Sequence, residues 1–265
     1  MQGTQRQLWA YVLRTLLLVH IWAFAALTAG ANELVHTLAD IRGGIVAVVN
    51  FDPLAQPRAK IIGTGFAVDD GGLIVTNFHV VNAFEKGSAT GRLAILVGRG
   101  KDAKMHEVAI VSSEPLYDIA LLQITDGARL KPLQLASSAY TMAEGSDIAM
   151  TGFPLGQVLG LYPITHKGII SAHAPNIIPQ GNARFLNPEV IRRQRFLIYQ
   201  LDITSYPGNS GSPVYDPADG KVVAILNAAY VRKTRENGLG EATGISYAIP
   251  VKFISRMITD SKKKR

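Results

Sequence analysis

The sequence predicts an all-β fold of short antiparallel strands with a short helix at each end. Between about residues 45 and 250, runs rich in Val, Ile, Leu, Phe and Tyr alternate with Gly, Pro, Asn, Asp and Ser, the pattern of strands separated by tight turns. No long helical segment separates these runs. A parallel α/β sheet is therefore not expected, and an antiparallel sandwich or barrel is.

The first 31 residues differ from the rest of the chain. Arg6 and Arg14 precede an apolar run from Thr15 to Leu27, and the small residues Ala29-Gly30-Ala31 follow. This order is typical of a cleavable secretory signal peptide. The apolar stretch can also be extended towards membrane-spanning length, so an uncleaved anchor is the alternative. The sequence thus predicts export, with membrane attachment only if this segment is retained.

Short helices are predicted at both ends of the mature chain. Residues 33–41 place four aliphatic side chains on one helical face, and Gly43-Gly44 ends that helix. Pro250 suits the first turn of a last helix, about residues 250–260, with an apolar face that includes Phe253. Between these ends, the stretch from Ala174 to Arg195 is too long for an ordinary hairpin and is interpreted as a functional or mobile loop.

A hairpin near the start of the strand region gives the clearest local signal. The alternating runs Ile61 to Val68 and Leu73 to Thr76 are joined by Asp69-Asp70-Gly71-Gly72, residues that tolerate positive φ in a tight turn. The further strand candidates are Leu93 to Val97, Glu107 to Val111, Ile119 to Ile124, Asp147 to Thr151, Lys167 to Ala172, Phe196 to Ile203, Ser212 to Tyr215, Val222 to Leu226 and Gly244 to Ile249.

The composition excludes several kinds of site and partner. Apolar residues make up 48% and charged residues 18% of the 265 positions, which is typical of a folded globular domain. Cysteine is absent, which rules out disulfides, thiolate zinc sites and a cysteine nucleophile. The net charge of +7 is spread along the chain, so no nucleic-acid partner is predicted. His36, His106, His166 and His173 lack metal-ligand spacing and are interpreted as structural.

Three separate stretches hold residues suited to nucleophilic catalysis. Ser210 lies in the glycine-flanked turn from Tyr206 to Pro213, where an exposed hydroxyl and backbone N–H groups can attack a carbonyl and hold the resulting oxyanion. His79 is predicted at the end of a hairpin strand, and Asp118 at the head of the apolar strand that begins at Ile119. Taken alone, a serine such as Ser210 more often belongs to an ordinary polar loop, a histidine such as His79 is more often a structural residue, and an aspartate such as Asp118 is more often a turn or strand cap.

Together these stretches resemble the trypsin-like serine protease family, and in detail its bacterial HtrA-like (Deg) branch. Segments along most of the mature chain match the family pattern in order. They are Gly63-Thr64-Gly65-Phe66, Thr76-Asn77-Phe78-His79-Val80-Val81, Asp118-Ile119-Ala120-Leu121-Leu122, Gly152-Phe153-Pro154-Leu155-Gly156, Gly168-Ile169-Ile170-Ser171, Gly208-Asn209-Ser210-Gly211 and Ile245-Ser246-Tyr247-Ala248-Ile249-Pro250.

The resemblance implies an architecture and a compartment. It implies a protease domain over residues 32–265 with two six-stranded antiparallel β-barrels, at about residues 45–135 and 140–250, and a site in the cleft between them. With the leader, it implies a secreted or periplasmic protein, or a membrane-anchored one with its protease domain outside the cytoplasm. The oligomeric state is left open.

The resemblance also implies a mechanism. His79 and Asp118 on the first barrel and Ser210 on the second form a catalytic triad, and the N–H groups of Gly208 and Ser210 form the oxyanion hole. The expected activity is hydrolysis of protein or peptide substrates through an acyl-enzyme, with no cofactor. The alternatives are a catalytically silent peptide-binding module on the same fold and an esterase or acyltransferase. The last is disfavoured because no Gly-x-Ser-x-Gly elbow surrounds Ser210.

Departures from the family pattern limit what can be carried over. Asn209 stands where digestive members have an aspartate that pairs with a newly cut N-terminus, so activation by that ion pair is not expected. Ser212 replaces the glycine usual after Ser-Gly, and no C-terminal peptide-binding (PDZ) domain is expected. No carboxylate lies between Ile203 and Ser210, so small or aliphatic P1 residues are predicted.

Overall fold

Two closed antiparallel barrels, each of six strands, form the body of the protein. The computed structural model describes residues 33–87, 91–154, 160–176, 196–232 and 241–263. This architecture confirms the predicted fold class. The predicted signal peptide, residues 1–31, lies outside the described residues, as do residues 177–195 of the predicted long loop. Within the described ranges, no helix has the length and apolar character needed to cross a bilayer.

The first barrel follows an N-terminal helix, α1, over residues 33–41. Around the barrel the strands run in the order β1-β2-β3-β6-β5-β4, and a helix, α2 (Phe78–Gly87), connects β3 to β4. The strands are β1 (Ile45–Phe51), β2 (Ala59–Val68), β3 (Leu73–Thr76), β4 (Arg92–Val97), β5 (Lys104–Glu114) and β6 (Ile119–Ile124).

The second barrel repeats this arrangement and is followed by a C-terminal helix, α3 (Val251–Lys263). Its strand order is β10-β11-β12-β9-β8-β7; read backwards from β7, this is the order of the first barrel with each strand number raised by six. The strands are β7 (Asp147–Gly152), β8 (Ile164–Pro175), β9 (Leu197–Asp202), β10 (Pro213–Tyr215), β11 (Val222–Arg232) and β12 (Glu241–Pro250).

The apolar residues divide among three cores. Along β1, Val46 and Val48 point into the first barrel, while Ile45, Ala47 and Val49 point the other way into a core shared by both barrels. Both faces of the strand are buried, so its sequence is a continuous apolar run rather than an alternating one. The shared core joins residues of both barrels to α1 and α3, including Phe66, Val75, Leu121, Tyr215, Ile225 and Phe253. The second barrel has its own core around Ile148, Met150 and Val214.

One sequence-based placement is wrong. His79 does not lie at the end of a strand: β3 ends at Thr76, and His79 is the second residue of α2. The run Phe78-His79-Val80-Val81 contains aromatic and β-branched residues that favour strands, but Val80 and Val81 are buried in the first barrel from the first turn of a helix. Tertiary burial has overridden local propensity here.

Candidate active site

His79 and Asp118 lie in direct contact. His79 Nδ1 is 2.6 Å from Asp118 Oδ2, and the backbone N–H of His79 donates to Asp118 Oδ1 at 2.8 Å. An ionised carboxylate can only accept hydrogen bonds, so this contact places the ring proton on Nδ1 and leaves Nε2 free to accept a proton. The side chain of His79 is 46% exposed and that of Asp118 is 18% exposed. The imidazole therefore faces solvent while its carboxylate partner lies behind it.

Two asparagines hold Asp118 in place. Asn77 Nδ2 donates to the carbonyl oxygen of Asp118 at 2.9 Å, and Asn227 Nδ2 donates to Asp118 Oδ2 at 2.7 Å. Asp118 has a φ of +52°, a left-handed conformation that is uncommon for residues other than glycine. These contacts stabilise that backbone conformation and aim the carboxylate at His79. Sequence reasoning named neither asparagine for this role.

Asn227 reaches Asp118 from the second barrel because of an irregularity in β11. The pairing of β11 with β12 shifts register between Leu226 and Ala228, so Asn227 lies outside the regular ladder. Bulges of this kind bend a strand and redirect side chains. The result is a hydrogen bond between residues that are 109 positions apart in the sequence.

Ser210 lies on the connection between β9 and β10, residues 203–212, named here the Ser210 loop. In this loop Asn209 N–H donates to the carbonyl oxygen of Tyr206 at 3.0 Å. Pro207 and Gly208 occupy the two central positions of that turn, and Gly208 has a φ of +99°, as a type II turn requires. Gly211 also has a positive φ, +88°. The turn presents Ser210 in a partly exposed position.

Within the described residues, the backbone N–H groups of Gly208 and Ser210 in this loop have no protein acceptor. Among the hydrogen bonds of the described residues, neither Gly208 N–H nor Ser210 N–H donates to a protein oxygen, whereas those of Asn209, Gly211 and Ser212 do. Both Gly208 and Ser210 are partly exposed. Free N–H groups beside a serine hydroxyl suit the binding of a carbonyl oxygen or an oxyanion.

No hydrogen bond joins His79 to Ser210 among the described residues. Among the described residues, the hydrogen bonds of His79 go to Asp118 alone, and Ser210 Oγ has no hydrogen-bond partner. Such contacts are often long in enzymes without substrate and tighten in the complex. The structure thus has the His79–Asp118 pair on the first barrel and the Ser210 hydroxyl on the connection between β9 and β10 of the second.

Two buried polar side chains, those of Asn209 and Ser212, lie close to Ser210 in the sequence of the loop. Asn209 and Ser212 are both completely buried, and within the described structure Asn209 Oδ1, Asn209 Nδ2 and Ser212 Oγ have no hydrogen-bond partner. A Cβ added at Gly152 would overlap Ser212 Oγ and lie 3.0 Å from Asn209 Oδ1. The hydroxyl of Ser212 thus takes up the space left by the missing side chain at residue 152.

Metal ligands are not grouped in the part of the chain that the structure describes, where no three His, Asp or Glu side chains lie close enough to hold an ion. His106 Nδ1 instead contacts Asp126 Oδ2 at 2.8 Å on the surface of the first barrel. Burial in the second barrel lowers the pKa of His166, and its Nε2 has no described partner.

Residues 63–225, more than half of the chain, match the sequence profile of the trypsin-like peptidase domain. The chain belongs to the trypsin-like peptidase family. The matched segment contains His79, Asp118 and Ser210. Family membership agrees with the resemblance seen in the sequence motifs.

Curated relatives in this family carry protease names. A protein from Pseudomonas fluorescens named "Probable periplasmic serine endoprotease DegP-like" is 31% identical over 196 residues, covering 74% of this chain and 34% of its own length. One of the same name from Marinomonas sp. is 26% identical over 210 residues, covering 79% and 37%. "Protease Do-like 5, chloroplastic" from Arabidopsis thaliana is 27% identical, covering 77% and 58%. The chain thus spans about a third of the two bacterial relatives.

A solved protease structure has the same fold. The serine endoprotease from Yersinia pestis superimposes with a TM-score of 0.59 at 21% sequence identity, covering 86% of this chain and 66% of the solved one. At this identity the likeness concerns the fold.

Proposed function

We propose that this protein is a serine endopeptidase in which Ser210 is the nucleophile and His79 and Asp118 complete the triad. The observation that carries the proposal is the 2.6 Å contact between His79 Nδ1 and Asp118 Oδ2. That contact fixes the tautomer in which Nε2 can take a proton from Ser210 Oγ. Membership of the trypsin-like peptidase family supports it.

The chemistry follows from these groups. Ser210 Oγ attacks the scissile carbonyl carbon while His79 Nε2 accepts the hydroxyl proton. His79 then gives that proton to the leaving amine, and an acyl-enzyme remains on Ser210. Water, deprotonated by His79, attacks the ester, and His79 returns that proton to Ser210 Oγ as the second product leaves. Asp118 remains ionised throughout and stabilises the imidazolium.

The Gly208 and Ser210 N–H groups serve as the oxyanion hole in this proposal. Both are partly exposed and have no acceptor among the residues that the structure describes, so they can donate to the negative oxygen of each tetrahedral intermediate. One such donor contributes about 2.7–4 kcal/mol to transition-state stabilisation in a serine protease. A residue with a side chain at position 208 would disfavour the positive φ that Gly208 has.

The proposed substrates are proteins or peptides with small or aliphatic P1 residues. No carboxylate lies between Ile203 and Ser210 to pair with a basic side chain. The buried polar groups next to this segment are hydroxyls: Ser246 Oγ lies 2.9 Å from Ser205 Oγ and donates to the carbonyl oxygen of Ile203 at 2.7 Å. Strong cleavage after arginine in a peptide library would contradict this assignment.

The proposed location is outside the cytoplasm, secreted or periplasmic, or tethered to a membrane if residues 1–31 remain attached. The support is the order of charged, apolar and small residues in that segment and the periplasmic names of the bacterial relatives. N-terminal sequencing of the protein recovered from the producing cell tests it. A first residue near 32 supports cleavage, and an intact Met1 in the membrane fraction supports an anchor.

Hydrolysis of unfolded casein by the purified protein tests the activity, beside Ser210→Ala and the matched control Ser113→Ala, which removes an exposed hydroxyl from β5. Each is also treated with a phosphonate probe for active serines. We expect Ser210→Ala to lose at least about 10⁴-fold in rate and all labelling, while Ser113→Ala retains both. If the unmodified protein neither cleaves casein nor is labelled by the probe, that result favours the catalytically silent peptide-binding module.

A further inference from the structure

Thr64 connects the first barrel to the Ser210 loop through its backbone N–H and its hydroxyl. It lies in β2 and is completely buried. Its N–H donates to the carbonyl oxygen of Ser210 at 2.8 Å, and its Oγ1 donates to the carbonyl oxygen of Gly208 at 2.7 Å. The same Oγ1 accepts Phe153 N–H at 3.0 Å, and the Thr64 carbonyl accepts Thr76 Oγ1 at 2.7 Å.

The bond from Thr64 Oγ1 holds one particular peptide group. The peptide between Gly208 and Asn209 is fixed at its oxygen by Thr64 Oγ1 and at its N–H by the carbonyl of Tyr206. Gly208 has no Cβ, so local sterics alone would let this peptide rotate. Holding it fixes the ψ of Gly208, and with φ at +99° the direction of the Gly208 N–H is fixed too.

The backbone of the Ser210 loop also lies directly against Thr64. A Cβ added at Gly211 would overlap the carbonyl oxygen of Thr64. With the bonds from Thr64 to Gly208 O and Ser210 O, the same residue holds the loop directly after the Gly208 N–H and on both sides of the Ser210 N–H. A strand of the barrel that carries His79 and Asp118 thus sets the position of donors on the other barrel.

We propose that Thr64 is a positioning residue for the oxyanion hole, acting through the hydrogen bond from its hydroxyl to Gly208 O; this inference rests on the proposed role of the Gly208 and Ser210 N–H groups. A donor stabilises a developing oxyanion only if its direction is fixed before reaction. Loss of the Thr64 hydroxyl frees the Gly208–Asn209 peptide, and it also leaves Phe153 N–H without its acceptor. The defect should appear in kcat more than in KM, because the substrate carbonyl carries little charge before attack.

The test compares Thr64→Val, which keeps the shape and removes the hydroxyl, with Thr64→Ser, which keeps the hydroxyl. The matched control is Thr37→Val, which removes a buried threonine hydroxyl that donates to a distant backbone carbonyl, Pro217 O, at 2.9 Å. We measure kcat and KM for one peptide substrate, the inhibition constant of a peptide boronic acid, and thermal unfolding. Thr64→Val should lose about 10- to 100-fold in kcat and in boronate affinity, less than the loss of a whole donor.

The remaining outcomes are also decisive. Thr64→Ser should stay within about threefold of the unmodified protein, and Thr37→Val should lose thermal stability without losing kcat. The proposal is overturned if Thr64→Val keeps kcat within about threefold, if Thr64→Ser is equally impaired, or if Thr37→Val loses as much. If Thr64→Val does not fold, the pair Thr64→Ala and Thr64→Ser, which differ by one hydroxyl, gives the same comparison.

A crystal structure of Thr64→Ala separates this inference from the proposed activity. If the unmodified protein shows no Ser210-dependent hydrolysis, the proposed function fails, and the structure still tests the positioning. A Gly208–Asn209 peptide that turns away from its present orientation supports the role of Thr64. A peptide that keeps its orientation without the hydroxyl overturns it, whatever the activity.

Discussion

Replacement of Asn227 by alanine should reduce catalysis by acting through Asp118. Asn227 Nδ2 donates to Asp118 Oδ2 at 2.7 Å, and hydrogen bonds to charged groups contribute about 1.5–3 kcal/mol. The Asp118 carboxylate is 18% exposed, so water can replace part of the lost bond, and the lower end of this range applies. Since about 1.4 kcal/mol corresponds to a factor of ten, we expect kcat/KM to fall about tenfold, mainly through kcat.

The assay is steady-state hydrolysis of one peptide substrate in a double-mutant cycle of Asn227→Ala and Asp118→Ala. If Asn227 acts only by orienting Asp118, the double variant should be no slower than Asp118→Ala alone. Thermal unfolding of each variant checks that the fold persists. Fully additive losses would refute the reasoning, because they would mean that Asn227 contributes through some other contact.

Three further predictions test the packing around the site and in the second barrel. Gly211→Ala should lower the free energy of unfolding by more than about 3 kcal/mol, because Gly211 has a φ of +88° and the new Cβ would overlap Thr64 O. The control Gly145→Ala has a similar φ, +85°, but no atom within 4 Å of the new Cβ, so it should cost only about 1–2 kcal/mol. Equal losses in denaturant titrations would contradict this account. Ser212→Ala should leave that free energy unchanged or raise it by up to about 1 kcal/mol, because the buried hydroxyl has no described partner; a clear loss in the same titration would show that the hydroxyl makes a bond. Burial lowers the pKa of His166, so the stability that the neutral ring contributes should decline as pH falls through the unfolded-state pKa of about 6.5 and be lost below the folded-state pKa. His166→Leu should therefore make the free energy of unfolding, measured in urea, depend less on pH between pH 8 and pH 5. An unchanged pH dependence would exclude this residue as the cause.

The fold was predictable because its local signals agree with one another. The hairpin turn at Asp69-Asp70-Gly71-Gly72 has the predicted positive φ at Asp69 (+59°) and Gly71 (+83°), and the strands Leu73–Thr76 and Ile119–Ile124 begin and end where the sequence predicts. Longer strands such as Val222–Arg232 extend beyond their predicted ends. In Val222–Arg232 the first residues beyond the predicted end are Asn227, Ala228 and Ala229, which favour strands weakly. Ala228 and Ala229 are held there by pairing with β12, while Asn227 lies at the register shift.

The supporting residues of the site were not predictable from local pattern. Thr64 and Asn77 lie within the motifs that carry the family resemblance, but nothing in the sequence indicates their partners. Their hydrogen bonds join positions 144 and 41 residues apart, and the Asn227 bond depends on a register shift in β11. The Thr64 and Asn227 contacts arise from the docking of two barrels and the Asn77 contact from the closure of the first barrel, which composition and periodicity do not encode. The boundaries and roles of residues 1–31 and 177–195 remain predictions.

In the proposed active site, His79 and Asp118 lie on one barrel and Ser210 on the other, so the rate of hydrolysis should depend closely on the position of one barrel relative to the other. Each barrel has a core of its own, around Val48 in the first and Met150 in the second. Each barrel can therefore retain its strands while the interface between the two barrels shifts. A displacement of about 1 Å between reacting groups can cost about a hundredfold in rate. On gentle heating, hydrolysis should therefore fade while strand content, seen by circular dichroism, is still intact.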